Sequence, residues 1–173
     1  MNLKQKVRTV PHFPKQGILF RDITTLLKDP EGFTQLIEEL QVRYAKEKID
    51  LVVGIESRGF IIGGALAHKL KVGFIPIRKK GKLPAETIRE EYELEYGKDT
   101  VEMHADAIKK GDKVLLVDDL IATGGTALAA CKLIERAGGE VVECAFVIDL
   151  PSLKGKEKLK PRKVFALMEF EGE

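Results

Sequence analysis

A chain of 173 residues, 44% apolar and 32% charged, is sized for one domain that buries roughly two-thirds of the surface its unfolded form exposes. Its 29 basic and 27 acidic residues leave a net charge of only +2, which argues against the broad basic field of a nucleic-acid binder. The longest uncharged stretch, residues 59–67, is too short to span a bilayer about 30 Å thick, and the N-terminus lacks a signal peptide's apolar core. Cys131 and Cys144 form no Cys-x-x-Cys pair and lie among apolar residues. Buried free thiols in a reducing, cytoplasmic setting are expected.

The first helix should begin at Asp29-Pro30, with Asp as N-cap and Pro at the first helical position. Phe33, Leu36, Ile37, Leu40 and Tyr44 then recur at helical spacing and predict one buried face. Residues 51–55 read as a strand, 59–70 as a helix packed closely by small residues, and 74–77 as a strand. Residues 78–111 break this pattern: charge is high, and Gly81, Pro84 and Gly97 punctuate it. Its apolar positions predict at most short strands near 92–96, so a long irregular insertion, either disordered or a functional lid, is expected. Regular structure resumes with a strand at 114–117, a helix at 126–137 closed by Gly138-Gly139, a strand at 141–148 and a last strand at 164–168.

This order implies an α/β fold, a mostly parallel twisted sheet with helices on both faces. Ligands of such sheets sit at the carboxyl ends of strands, where strand order reverses. Asp118-Asp119 and Glu56-Ser57-Arg58 both fall at such ends.

Residues 114–126 run an apolar strand into two adjacent carboxylates, then into the turn Ala122-Thr123-Gly124-Gly125-Thr126, then into a helix. Glycines let that backbone approach a ligand, and its amides, with the positive end of the following helix, make an anion cradle. Thr123 and Thr126 add hydroxyls, while Asp118 and Asp119 can accept the hydroxyls of a sugar. The segment reads as a phosphoribose site. An ordinary strand-to-helix turn explains the glycines and Thr126 but not two neighbouring acids. Gly54 to Gly59 matches the spacing of a P-loop, yet Phe60 follows where that loop needs Lys.

Residues 114–126 closely resemble the signature of the type I phosphoribosyltransferases. Phe20-Arg21-Asp22-Ile23-Thr24, residues 54–60, residues 78–84 and Leu94-Glu95-Tyr96-Gly97, ending with Ser152-Leu153-Lys154-Gly155, are similar in order to members whose acceptor is adenine. The resemblance implies a single domain over 1–173, with a base-binding hood at 1–30 and a lid and diphosphate-binding insertion at 78–111. It implies transfer of the phosphoribosyl group of phosphoribosyl diphosphate to adenine, with Mg²⁺ held mainly by substrate oxygens. His12, His68 and His104 are scattered and make no metal box, and Asp118 or Asp119 could touch the ion through water.

By the same resemblance, Glu56, Ser57, Arg58, Arg78, Lys79 and Lys82 meet the diphosphate, and a cis peptide joins Glu56 to Ser57. Arg supplies a planar fork for phosphate oxygens and Lys a mobile point charge; Lys80 is left unassigned. Arg78 is expected to reach a neighbouring subunit, implying a homodimer. Glu95 is the candidate for proton transfer to or from the purine, with Arg58 the second catalytic candidate. Phe20 and Leu120 should sandwich the base, with Arg21 backbone groups reading its edge. Periodicity alone allows Phe20 equally as a core anchor. Two other readings stay open: a sister enzyme for hypoxanthine, guanine or xanthine, and a regulator that senses phosphoribosyl diphosphate and binds nucleic acid. The second would need a basic face or an added helix-turn-helix, and neither is visible.

Overall fold

The computed structural model describes residues 1–94 and 96–172. Near the N-terminus, β1 (Arg8–Pro11) and β2 (Leu19–Asp22) form an antiparallel pair separate from the main sheet. The short helix α1 (Thr24–Lys28) leads into α2 (Pro30–Tyr44). As the spacing predicts, Leu36, Ile37, Leu40 and Tyr44 are buried, with Phe33 packed at the edge of the same cluster. Asp29 stands at the N-cap, but its side chain makes no capping bond and instead takes Lys6 Nζ at 2.6 Å.

The remaining elements are β3 (Leu51–Ile55), α3 (Arg58–Leu70), β4 (Gly73–Lys79), β5 (Thr87–Glu93), β6 (Lys98–His104), β7 (Lys113–Ile121), α4 (Gly125–Arg136), β8 (Glu140–Asp149), α5 (Gly155–Leu159) and β9 (Val164–Glu169). They build one seven-stranded sheet in the order β5-β6-β4-β3-β7-β8-β9. The five strands β4-β3-β7-β8-β9 are parallel, while β6 pairs antiparallel with both β4 and β5. Period-two alternation along β7 feeds two cores. Leu115 and Val117 join α2 and α3 on one face, and Val114 and Leu116 join α4 on the other. Strand order reverses between β3 and β7, whose following helices take opposite faces, and the site opens there.

Two expectations need correction. Residues 78–111 are not irregular: β5 and β6 form a hairpin with seven-residue strands that extends the sheet. Val101 and Met103 are buried, but the outward residues of β5 are so densely charged that its alternation is masked in sequence. The strand expected to stop at Val117 also continues to Ile121, because β8 keeps pairing with it after β3 has ended. Asp118 and Asp119 therefore project from a strand supported on one side only. Cys131 and Cys144 are buried free thiols with sulfurs 3.5 Å apart. Among the described residues no helix is long and apolar enough to cross a membrane.

Candidate active site

Two adjoining cavities sit at the strand ends. One, of about 130 Å³, is enclosed by residues 118 and 120–127, the turn read as a phosphate cradle. The other, of about 230 Å³, is lined by Phe20, Arg21, Ile55, Glu56, Arg58, Lys79, Asp118, Asp119, Leu120 and Thr126. Larger grooves of about 570 and 590 Å³ run beside α2 and β9, but no predicted site residue lines them. Residues from the hood, the β3 end, the β4 end and the β7 end thus meet at one opening.

The turn is braced from behind. A Cβ built on Gly124, whose φ is +87°, would lie 2.7 Å from the Gly155 carbonyl oxygen. One built on Gly155 would lie 2.5 Å from the Ala122 carbonyl oxygen, so the two backbones touch where no side chain fits. The Leu150 N–H, donating to the Ile121 carbonyl at 3.1 Å, ties the same two segments together. Gly125 opens α4, so the helix's positive end points into the smaller cavity.

Asp119 is buried and accepts Arg58 Nε at 2.5 Å, while its own N–H donates to Asp118 Oδ1 at 2.8 Å. Asp118 keeps part of its surface open to the cavity but is closely surrounded by protein. That desolvation, followed by the charge of Asp119, pushes its carboxyl well above the usual range. A Cβ on Gly59 would come within 2.9 Å of Asp118 Oδ1, so the first turn of α3 has to be this small to clear the acid. Burial opposes the charge on Arg58, but the bond to Asp119 and the fields of Asp118 and Asp22 outweigh it and raise its pKa.

The Glu56–Ser57 peptide is cis, as the resemblance implies, and Ser57 is the exposed N-cap of α3. Glu56 accepts the Lys79 N–H at 2.6 Å and Lys82 Nζ at 2.5 Å, and lies 3.4 Å from Arg78 Nε. The Arg78 guanidinium also lies 5.6 Å from the Phe60 ring centre. Lys79 Nζ donates to Asp99 at 2.6 Å and contacts the Tyr92 hydroxyl, so the hairpin holds it. Asp99 escaped the sequence reading because its strand did, and Tyr92 was expected only in a short strand near 92–96; period-two alternation sets Asp99 on the same face as Val101 and Met103.

In the hood, Phe20 is half-buried at the larger cavity and not a core anchor; Phe13 meets it edge-to-face with ring centres 5.2 Å apart. The Arg21 side chain turns away from the site, donating to Thr9 Oγ1 at 2.7 Å and the Glu171 carbonyl at 2.9 Å. Lys15 lies 5.4 Å from the Tyr96 ring centre, so the hood touches the hairpin turn. Glu95, the proton-transfer candidate, lies outside the described residues. Among those described, no group of three or more His, Cys, Asp or Glu could hold a metal ion.

The phosphoribosyl transferase domain family matches residues 23–171. The adenine phosphoribosyltransferase of Nitrosospira multiformis is 63% identical over 174 residues, covering 99% of both chains. Among solved structures, the Rhodothermus marinus adenine phosphoribosyltransferase has a TM-score of 0.93 at 56% identity, covering 97% of this chain and 96% of that one. The Saccharomyces cerevisiae enzyme, solved with an imino-altritol bisphosphate and adenine, has a TM-score of 0.91 at 45% identity, covering 96% of each. With the loop, the paired acids and the hood meeting at one strand-end cavity, the chain belongs to the phosphoribosyltransferase family.

Proposed function

We infer that this enzyme transfers the phosphoribosyl group of phosphoribosyl diphosphate to adenine, giving AMP and diphosphate in purine salvage. The observation that carries the reading is the meeting of Asp118-Asp119, the 122–126 turn, Arg58 and Phe20 around one opening. The turn amides and the start of α4 take the 5′-phosphate, and Asp118 and Asp119 accept the ribose hydroxyls. Phe20 and Leu120 face the base from opposite sides, and Arg21 main-chain groups read its edge. Charge develops on the sugar as its bond to diphosphate breaks, so the fixed acids beneath it help most at that moment. Arg58, Lys79 and Lys82 receive the departing diphosphate of their own site, and Arg78 that of the neighbouring subunit. Hypoxanthine and guanine carry an oxo group that would leave polar groups in the base pocket unpaired.

Mg²⁺ would be held mainly by the substrate's own oxygens, where it would neutralise part of the diphosphate charge. Asp118 or Asp119 would touch such an ion through water, with no direct side-chain ligation by either. Glu95 is assigned the purine proton by its Leu94-Tyr96-Gly97 setting. Glu95→Gln should lower turnover by ~10²-fold or more with little change in substrate binding; near-normal turnover would reject the assignment. Arg78 is assigned to a neighbouring subunit's site in a homodimer, checked by sedimentation. Two buried unpaired thiols suit a reducing cytoplasm.

The deciding experiment mixes the protein with Mg²⁺, phosphoribosyl diphosphate and each purine separately. Diphosphate should be released with adenine alone. Similar release with guanine or hypoxanthine would transfer the assignment to a sister enzyme.

A further inference from the structure

Glu56 is an anion set among the cations assigned to an anionic leaving group. One carboxylate oxygen holds the Lys79 N–H at 2.6 Å and lies 3.4 Å from Arg78 Nε, while the other takes Lys82 Nζ at 2.5 Å. The Glu56 side chain is only 11% exposed, against 46% for Lys82. Burial works against the charge of Glu56, but the bonds from Lys82 and the Lys79 N–H set its carboxyl below the usual range. It is therefore ionised throughout the neutral range and donates nothing to a phosphate oxygen.

Glu56 is also the fixed member of this group. Its N–H donates to the Ile77 carbonyl at 3.0 Å, tying the end of β3 to β4. Lys82 is on an exposed turn, with a flexible stem that can carry its charge from one oxygen to another.

We propose that Glu56 is a resident counter-ion: it holds Lys82 and Arg78 in place before substrate binds, and cedes Lys82 to the diphosphate. Binding then exchanges one anion for another on the same ammonium, and release reverses it. Glu56 limits how tightly diphosphate is gripped and keeps the lysine from straying once it has left. Glu56 is thus a positioning residue. The inference rests on the reading that Lys82 meets the diphosphate.

The test is calorimetric binding of inorganic diphosphate with Mg²⁺ to the full-length enzyme and to Glu56→Gln, Lys82→Met and the double variant. Lys82→Met should weaken binding. Glu56→Gln should tighten it by roughly three- to fivefold, the worth of a part-exposed ion pair, and lower the KM for phosphoribosyl diphosphate but not for adenine. In the Lys82→Met background the gain should shrink below about twofold. Glu56→Asp keeps the charge but shortens its reach by one methylene, so it should tighten binding in the same direction; it also serves if the Gln variant folds poorly. Weaker or unchanged binding in both Glu56 variants overturns the proposal. So does a gain that persists undiminished without Lys82, which would be a general field effect. If Lys82→Met alone binds diphosphate as the parent does, the reading of Lys82 itself falls, and the exchange with it.

Discussion

The two halves of the site are made of different material. The half assigned to the 5′-phosphate is backbone: a turn after β7, the start of α4, and the Gly124–Gly155 contact that leaves the turn no room to retreat. The half assigned to the diphosphate is side chains, and these cations are already engaged: Arg58 by Asp119, Lys79 by Asp99, and Lys82 by Glu56. A cradle of amides has its shape before any ligand arrives and needs no counter-ion. A cluster of ammonium and guanidinium groups repels itself, and the chain supplies internal carboxylates that pair with it. The first half should therefore be sensitive to crowding and the second to charge.

The largest effect should come from crowding the brace. Gly155→Ala puts a methyl 2.5 Å from the Ala122 carbonyl, so the turn must move, and a misplacement near 1 Å costs ~10²-fold in kcat/KM for phosphoribosyl diphosphate. Gly139→Ala is the control, since its Cβ would meet Ile108 and Ile134 at 3.0 Å, away from the site. If both variants melt lower but only Gly155→Ala loses affinity for AMP, the brace is functional; equal affinities would break the comparison.

Charge in the other half should act more gently. By the same exchange, Asp99→Asn leaves Lys79 with only Tyr92 and should lower the KM for phosphoribosyl diphosphate about threefold to fivefold, leaving the adenine KM unmoved. A change of 10²-fold there would mean that this half is as rigid as the other.

Asp118→Asn separates stability from function. Its carboxyl is pushed upward, so the ionised form is held against a cost, and the neutral amide should raise the melting temperature by a few degrees at neutral pH. The gain should vanish once the solution is acid enough to protonate Asp118, while AMP binding weakens. A lower melting temperature at pH 7 would contradict that.

The smallest effect concerns the hood. The Thr24 hydroxyl, against the cost of burial and with help from Arg8, sets the Asp22 carboxyl down at about 2. A folded pKa below the unfolded value gives stability that is fully present above about pH 4 and lost as pH falls toward 2. Melting curves across that range should show less acid sensitivity in Asp22→Asn than in the parent; identical slopes would remove Asp22 from the account.

Local signals carried much of this in the sequence. Asp29-Pro30 marked the start of α2, and its helical spacing gave the buried face; Gly138-Gly139 marked the end of α4. The run from Val114 to Thr126 announced strand, acids, turn and helix; the structure keeps the turn and the helix but carries both acids inside the strand. The β5–β6 hairpin was missed because Arg89, Glu91 and Glu93 on its exposed face drown the inward pattern of a strand whose other face is only half-covered. Phe20 could not be told from a core residue, since an aromatic ring fits a core and a cavity wall equally well by periodicity.

Sequence by itself determined the strand–helix–strand units on either side of residues 78–111, and the acids and glycine turn read as a phosphoribose site, because each is written in local periodicity or one short contiguous run. Tertiary structure alone decided that Gly155 backs Gly124, that Asp99 reaches Lys79, and that Glu56 faces three of the chain's own donors. Those contacts join segments 20 or more residues apart, and their partners are selected by strand register and close packing, which no local pattern encodes.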